Sequence, residues 1–366
     1  MSNRKLIILS IVAGLMIVCA VIQSRIGRAP APLSSVEDRK GGDSYLIQGL
    51  DPAKIESILI GTGENAVKLI RRGDHFVVGN KDNYPAVTSR INNLITSCLD
   101  IRTVELMTSN PANHNELEVS EEKAKSIVKF LKNDGQTITG VVIGKTDSQT
   151  HSTYVRLVSS NDVYMTTKAP QVRDSAMDYI EKEIVNISRD DVAGVTVTGP
   201  NDSYTLKIDD SNDEPRPSEG LEGNIILENI PEGKKLKKDD CSQVLSGLSL
   251  LSFNDVKKGV AAGEKLKFEN RYVCELKDMT IYTFNMAKAD GKTYAGCSAE
   301  YVGETQIVKE KRKESKEELK NKEAKWLAYN RAINFTQKHQ GWLYEIPEWK
   351  AKNLTRKLSE LLTEEK

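Results

Sequence analysis

The sequence predicts an α+β protein: an N-terminal transmembrane helix followed by two similar mixed lobes of antiparallel sheet with packed helices, and a helical C-terminal segment. Three observations carry this reading. An apolar run without charge stands near the start, short β-branched stretches separated by glycine turns occur in two regions, and helical periodicity takes over after residue 305. The 366 residues, 39% of them hydrophobic, suit two domains of roughly 100–200 residues each. The expected order is a cytoplasmic tail (1–5), a transmembrane anchor (6–22), a linker (23–44), a first lobe (45–188), a second lobe (189–305) and a helical C-terminal segment (306–366).

Residues 6–22 read LIILSIVAGLMIVCAVI, 17 residues between Arg4-Lys5 and Gln23-Ser24-Arg25. As a helix rising about 1.5 Å per residue this run covers about 26 Å. That spans a hydrocarbon core of about 30 Å when Lys5 and Arg25 snorkel. The rival is a cleaved signal peptide, whose apolar region is typically about 7–15 residues and ends at a small-x-small site. The run here is longer, and Gln23-Ser24-Arg25 is a poor cleavage site, which favours an uncleaved anchor. Lipidation at Cys19 is disfavoured by Val18, which stands where a small residue is required. Two basic residues precede the span and two follow it, so positive charge barely orients it. The very short N-terminal tail and its amine favour a cytoplasmic N-terminus, with the bulk of the chain outside the cytoplasm.

Ala29-Pro30-Ala31-Pro32 and the polar stretch to Ser44 read as a linker. In the first lobe residues 55–60 and 66–70 flank the turn Gly61-Thr62-Gly63-Glu64-Asn65, and 76–78 follows Arg71-Arg72-Gly73-Asp74, a β-meander pattern. After Tyr84-Pro85, the residues Val87, Ile91, Leu94, Ile95 and Cys98 recur at helical spacing and make a stripe to pack on the sheet. A second helix is expected from a cap at Ser120 through Ala124, Ile127, Val128 and Leu131, with Glu121 and Glu122 at its positive end and Gly135 closing it. Strands follow at 137–143, 153–158 and 163–165. Pro170 then opens a helix with Val172, Ala176, Tyr179, Ile180 and Ile184 on one side.

The order then recurs. Residues 192–198 and 203–208 form a strand pair around Gly199-Pro200-Asn201-Asp202, a polar insertion rich in Asp, Glu and Pro precedes 225–227, and Val244, Leu245, Leu248, Leu251 and Phe253 belong to a helix-like stretch. Strand, strand, helix in both lobes suits an internal duplication and coincidence equally. Strands at 271–276, 280–286 and 293–299 complete the second lobe. Residues 309–325 hold eight basic and five acidic side chains and read as a solvated helical face, while Leu319, Trp326, Tyr329 and Ile333 recur at helical spacing. Residues 342–346 read as a strand, and Pro347 starts a helix with Ala351, Leu354, Leu358 and Leu361 in one stripe. Core packing is the expected role of both stripes and partner docking the alternative.

The 52 basic and 52 acidic residues balance. Four of the basic ones, Arg4, Lys5, Arg25 and Arg28, stand in the first 28 residues without an acid, leaving the remainder at 48 against 52, a net of −4. A generic phosphate-binding footprint is excluded and no nucleic-acid partner is expected. Gly61 to Ala66 matches a dinucleotide-binding pattern, but 67–70 followed by Arg71-Arg72-Gly73 leaves no room for the helix that would receive a pyrophosphate, so a hairpin turn is expected. Ser120-Glu121-Glu122-Lys123 fits a serine–lysine signature without its Ser-Asp-Asn and Lys-Thr-Gly companions; helix capping accounts for Ser120. His75, His114, His151 and His339 are scattered, without metal-ligand spacing. Cys98, Cys241, Cys274 and Cys297 contain no C-x-x-C pair and read as buried thiols. Cys274 and Cys297 fall in neighbouring strand-like stretches and could bridge in an oxidising compartment. No catalytic, cofactor-binding or metal-binding residue, and no cofactor, is assigned.

Several elements carry a family resemblance. They are Lys54-Ile55-Glu56-Ser57-Ile58-Leu59-Ile60, Val67-Lys68-Leu69-Ile70-Arg71-Arg72-Gly73 and Tyr84-Pro85-Ala86, then Val141-Val142-Ile143-Gly144-Lys145, Thr153-Tyr154-Val155-Arg156 and Asp162-Val163-Tyr164-Met165. In this order, over roughly residues 50–260, they resemble the bacterial envelope family known as domain of unknown function 4340. The ending Gly341-Trp342-Leu343-Tyr344-Glu345-Ile346-Pro347 is also similar. His75-Phe76 departs from the tryptophan common after the glycine turn there. The resemblance implies a single-pass protein of the bacterial inner membrane with its domain periplasmic or otherwise extracytoplasmic, often encoded beside ABC-type exporter permeases of the gliding-motility kind, and it carries no catalytic residues.

The expected function is thus a non-enzymatic, membrane-anchored accessory or scaffold protein with an envelope protein partner, an ABC-type permease among the candidates. Two alternatives stand beside it. An anchored cell-envelope hydrolase would need two facing carboxylates about 5–9.5 Å apart, and a ligand-sensing module would need an enclosed apolar pocket.

Overall fold

Alternating β-branched residues and tight glycine turns make antiparallel strands here, and the strands assemble into two large sheets. The structure is a computed structural model that describes residues 44–209, 224–227, 230–259, 266–304 and 315–364. The expected tail, the anchor at 6–22, the linker up to residue 43 and most of the polar insertion before 225 lie outside the described residues. Among the described residues no helix is long and apolar enough to cross a membrane.

The first sheet contains β1 (Ser57–Ile60), β2 (Val67–Arg72), β3 (His75–Val78), β4 (Tyr84–Pro85), β5 (Glu105–Thr108), β6 (Ser126–Leu131), β7 (Thr137–Thr146), β8 (Thr153–Leu157) and β9 (Val163–Thr166). Their spatial order is β4-β3-β2-β1-β6-β7-β8-β9-β5, every pairing antiparallel. Helix α1 (Thr88–Leu99) follows β4 and buries Ile91, Leu94, Ile95 and Cys98 against the main core, the stripe expected from the sequence. Each such side chain contributes about 1.5–3 kcal/mol relative to exposure. Pro85 sits in an edge strand, where its missing N–H breaks no ladder.

The second sheet contains β10 (Val192–Thr198), β11 (Ser203–Asp209), β12 (Asn224–Leu227), β13 (Asp255–Lys258), β14 (Phe268–Leu276), β15 (Thr280–Ala289), β16 (Lys292–Tyr301) and β17 (Trp342–Ile346). Its order is β12-β11-β10-β14-β15-β16-β17-β13. Helix α2 (Lys238–Leu245) precedes β13, α3 (Lys316–His339) lies between β16 and β17, and α4 (Glu348–Leu354) follows β17.

The two sheets share one wiring diagram. In each, a meander winds outward from its first strand, a helix follows, the next long strand crosses to the far edge, and a four-strand meander fills the gap. A short ladder repeats too: Ser44–Tyr45 pairs with Arg102–Thr103 just before β5, and Glu183–Val185 pairs with Leu251–Ser252 just before β13. The halves run from 44 to 166 and from 183 to 346. They differ most between the last two strands, where β8 and β9 are joined by a short turn but β16 and β17 by an excursion containing α3.

Three sequence expectations are corrected. Residues 126–131 form the strand β6, in the middle of the first sheet, and Ser120 heads one turn only, with Ala124 N–H donating to Ser120 O at 3.0 Å. Ile127 is buried in one apolar cluster and Val128 and Phe130 in another, so β6 is covered on both faces and shows no alternation.

The stretch after Pro170 is not a helix but a 3-10 turn (Ala176–Tyr179) and a strand (Glu183–Val185). Its carbonyls are taken by α1 and the residue before it: Val87 N–H donates to Tyr179 O, and Arg90 Nη1 donates to Asp178 O and Ile180 O.

Cys274 and Cys297 are free. They stand on β14 and β16 with β15 between them, Cys274 opposite Tyr282 and Cys297 opposite Phe284. Two inter-strand spacings of about 4.8 Å separate the backbones, beyond the Cα reach of a disulfide.

Smaller adjustments concern helix ends. The helix-like stretch at 244–253 is α2 and then the short strand Leu251–Ser252, and the C-terminal helix stops at Leu354, with Leu358 in a 3-10 turn.

The halves meet through aromatic rings. Tyr84 of β4 lies 4.8 Å from Trp342, 6.0 Å from Phe253 and 6.4 Å from Tyr344, centroid to centroid. Lys81 pairs with Asp255 at 2.7 Å, and Asp82 Oδ2 accepts from Lys258 N–H at 2.8 Å, so the turn after β3 covers the β13 edge. One buried apolar cluster runs through both halves.

Candidate functional site

Gly61 and Gly63, with φ of 85° and 70°, turn the chain between β1 and β2, so the glycine-rich element is a hairpin turn. Ser120 Oγ is buried and without a partner in the turn before β6. The histidines stand on separate elements: His75 is exposed beside Asp74 (3.0 Å), His114 meets Asn161 O at 3.0 Å, His151 lies in a turn, and His339 ends α3. Among the described residues no group of His, Cys, Asp or Glu is arranged to hold a metal ion. Burial pushes the thiols of Cys98 and Cys274 up to about 12 and that of Cys241 up to about 11. These thiols stay protonated at neutral pH.

A cleft of about 490 Å³ opens between α1 and the segment at 168–173, walled by Arg90, Asn93, Ser97, Lys168 and Arg173. Arg90 is already engaged in binding the 178 and 180 carbonyls. A second cleft, of about 360 Å³, is lined by Asp191 and Asp278. Asp278 is ion-paired with Arg331 of α3.

Between the halves lies a buried polar chain. Tyr344 Oη is 2.6 Å from His339 Nδ1 and 3.5 Å from Tyr84 Oη, and His339 Nε2 has no partner. The His339 ring packs on Phe335 at 4.4 Å. Burial, with the Lys338 charge adding to it, lowers the His339 pKa to about 4, and burial pushes the Tyr344 hydroxyl far above its usual range. His339 is therefore a neutral ring that locks β17 to α3.

The α3 excursion creates the most distinctive surface. A capping box starts the helix, with Ser315 Oγ accepting from Glu318 N–H and Glu318 Oε2 accepting from Ser315 N–H. Ala328, Ala332, Phe335 and His339 form its buried side. Of the expected core stripe, Leu319, Trp326 and Tyr329 are exposed, as is the neighbouring Leu327, and only Ile333 is half-buried. The two small alanines let α3 lie close on β16, where Thr336 Oγ1 bonds both the N–H and the O of Ala299, and the bulky residues are left on the far side.

Beside this helix the end of the second sheet is also apolar. Val302 N–H donates to Met279 O at 3.0 Å, both side chains are more than half exposed, and Tyr301 packs edge-on to Tyr329 at 6.3 Å. Met279 has φ 69°, a left-handed conformation that costs a non-glycine residue about 1–2 kcal/mol. Met279, Val302, Tyr301, Tyr329 and Trp326 thus form one surface, rimmed by the Arg331–Asp278 pair and by Lys325–Glu304 at 3.5 Å.

The family described as Domain of unknown function (DUF4340) matches residues 77–271, more than half of the chain. The chain belongs to this family. No curated protein and no solved structure matches it. The DUF4340 match runs from β3 into β14, across both halves, and ends before α3. The helix and its apolar surface are therefore outside the matched region. Sequence reading found the residues of this surface on α3 but not Met279 or Val302, which only the β14–β15 turn and the end of β16 bring to it.

Proposed function

We propose that this DUF4340 protein is a membrane-tethered accessory protein of the bacterial envelope, held by residues 6–22, whose body outside the cytoplasm docks a protein partner. An ABC-type permease complex is the first partner to test, on the strength of the family resemblance. The observation that carries the reading is the surface of the exposed Met279, Val302, Tyr329 and Trp326 around the half-buried Tyr301. Tyrosine, tryptophan and methionine are enriched at protein interfaces, and the charged pairs at its border supply a polar rim. The surface is built on the one large departure from an otherwise repeated wiring, and additions to a repeated scaffold are where specific function accumulates.

The test is affinity purification of the full chain from membranes in mild detergent. A permease subunit is expected to co-purify with the native chain and to be lost with Trp326→Ser plus Met279→Ser. Recovery of no membrane partner under several growth conditions overturns the reading, and so does recovery that is indifferent to the double substitution.

A further inference from the structure

The shared wiring gives each half an equivalent edge strand, and the two edges are opposites in character. In the second half the edge β13 reads Asp255-Val256-Lys257-Lys258, with Val256 buried, and the first half's Lys81 and Asp82 bind it. That is how natural sheets protect an edge, with charge and cover. In the first half the edge is β5, outermost in its sheet. It carries Leu106 and Met107, preceded by Val104, all exposed, with Glu105 as the sole charge.

Val104 N–H donates to Met165 O, which holds Val104 at the sheet edge between the short strand Arg102–Thr103 and β5. Arg102, Val104 and Leu106 are all exposed on this edge segment. Tyr45 pairs with Arg102, and Leu106 with the half-buried Tyr164. Tyr45 is 45% exposed. The Arg102 guanidinium lies 5.0 Å over its ring and donates to its Oη at 3.1 Å. An aromatic ring with a polar tip, an exposed arginine stacked on it and two aliphatic side chains are the makings of a headgroup-level contact.

The path of the chain favours this occupant. Ser44, the first described residue, lies in the ladder that flanks this patch, and 21 residues separate it from the end of the apolar run at 6–22. The described chain thus begins beside this patch.

We propose that the exposed patch of Tyr45, Arg102, Val104 and Leu106 rests on the phospholipid surface, seating the first half on the bilayer. This inference depends on the tethering of the proposed function and specifies which side of the body meets lipid. The second half, with its α3 surface, is then left to face a partner.

The test uses the full chain reconstituted in nanodiscs of phosphatidylethanolamine and phosphatidylglycerol, with photoreactive benzoylphenylalanine replacing Tyr45 or, as a control, the exposed Trp349. A lipid adduct is expected at position 45 and not at 349. Val104→Ser with Leu106→Ser, at exposed sites that leave the core intact, is expected to lower that adduct about tenfold. Retention in the disc after alkaline washing reads the tether separately. A chain that is not retained overturns both proposals. A retained chain whose position 45 gives adducts only with protein, with solvent, or equally with position 349 overturns the lipid contact alone.

Discussion

His339 shows how a single side chain can tie a helix to a strand, α3 to β17, and make the fold sensitive to acid. Its neutral ring is accepted into the core only because Tyr344 satisfies one nitrogen, and either tautomer leaves the other unpaired. Burial holds its pKa at about 4, whereas the unfolded chain titrates near the ordinary value of about 6.5. Between these values the unfolded state binds a proton that the folded state does not. The stability due to neutral His339 is therefore complete above about pH 6.5 and falls by up to about 3 kcal/mol as pH drops toward 4. Urea titrations across this range should show that slope, and His339→Gln should flatten it. Tyr344→Phe leaves both ring nitrogens without a partner and is expected to lower stability by about 1–3 kcal/mol in the same assay. None of this was legible from the sequence, where His339 is one of four scattered histidines; only the fold supplies the ring's partners.

Among the secondary elements, α1 was fully legible, because a helix with one buried side writes that side as a spacing: Ile91, Leu94, Ile95 and Cys98. The strand β6 was not, because burial on both faces erases alternation and leaves Ala124, Ile127, Val128 and Leu131 at a helical spacing by accident. The segment after Pro170 failed for another reason: its carbonyls serve Val87 and Arg90 rather than its own amides. In α3 the periodicity was legible but its direction was not. The large residues read as core, and the alanines do the packing. Trp326→Ser is accordingly expected to change stability by less than about 0.5 kcal/mol. Phe335→Ala should cost about 3–5 kcal/mol, both read by thermal or urea denaturation. On β7, a Cβ at Gly144 would stand 2.4 Å from Leu117 O. Gly144→Val is expected to destabilise by about 3 kcal/mol or more and to loosen the 117–119 segment, seen as faster amide exchange there.

Among the described residues, a repeated pattern is joined by one core. The sequence displayed strand, strand, helix in both parts; it hid the far-edge strand and the two flanking ladders, which depend on contacts between distant residues. The main apolar cluster joins both halves, so unfolding in urea should be a single transition with coincident circular dichroism and tryptophan fluorescence. Two resolved steps would instead mean that each half holds its own core. The buried thiols Cys98, Cys241 and Cys274 should react with a thiol reagent only across that same transition.

The α3 excursion also sets an order of events during folding. The strand β17 can join β16 only after the chain has travelled from residue 302 to 341, whereas β14, β15 and β16 zip together through tight turns. Closing that longer loop is entropically slower. Trp342 and Tyr344, the rings that seal one half to the other, ride on the strand expected to join after β14, β15 and β16 have paired, and β13 pairs with that strand, so the seam is expected to close late.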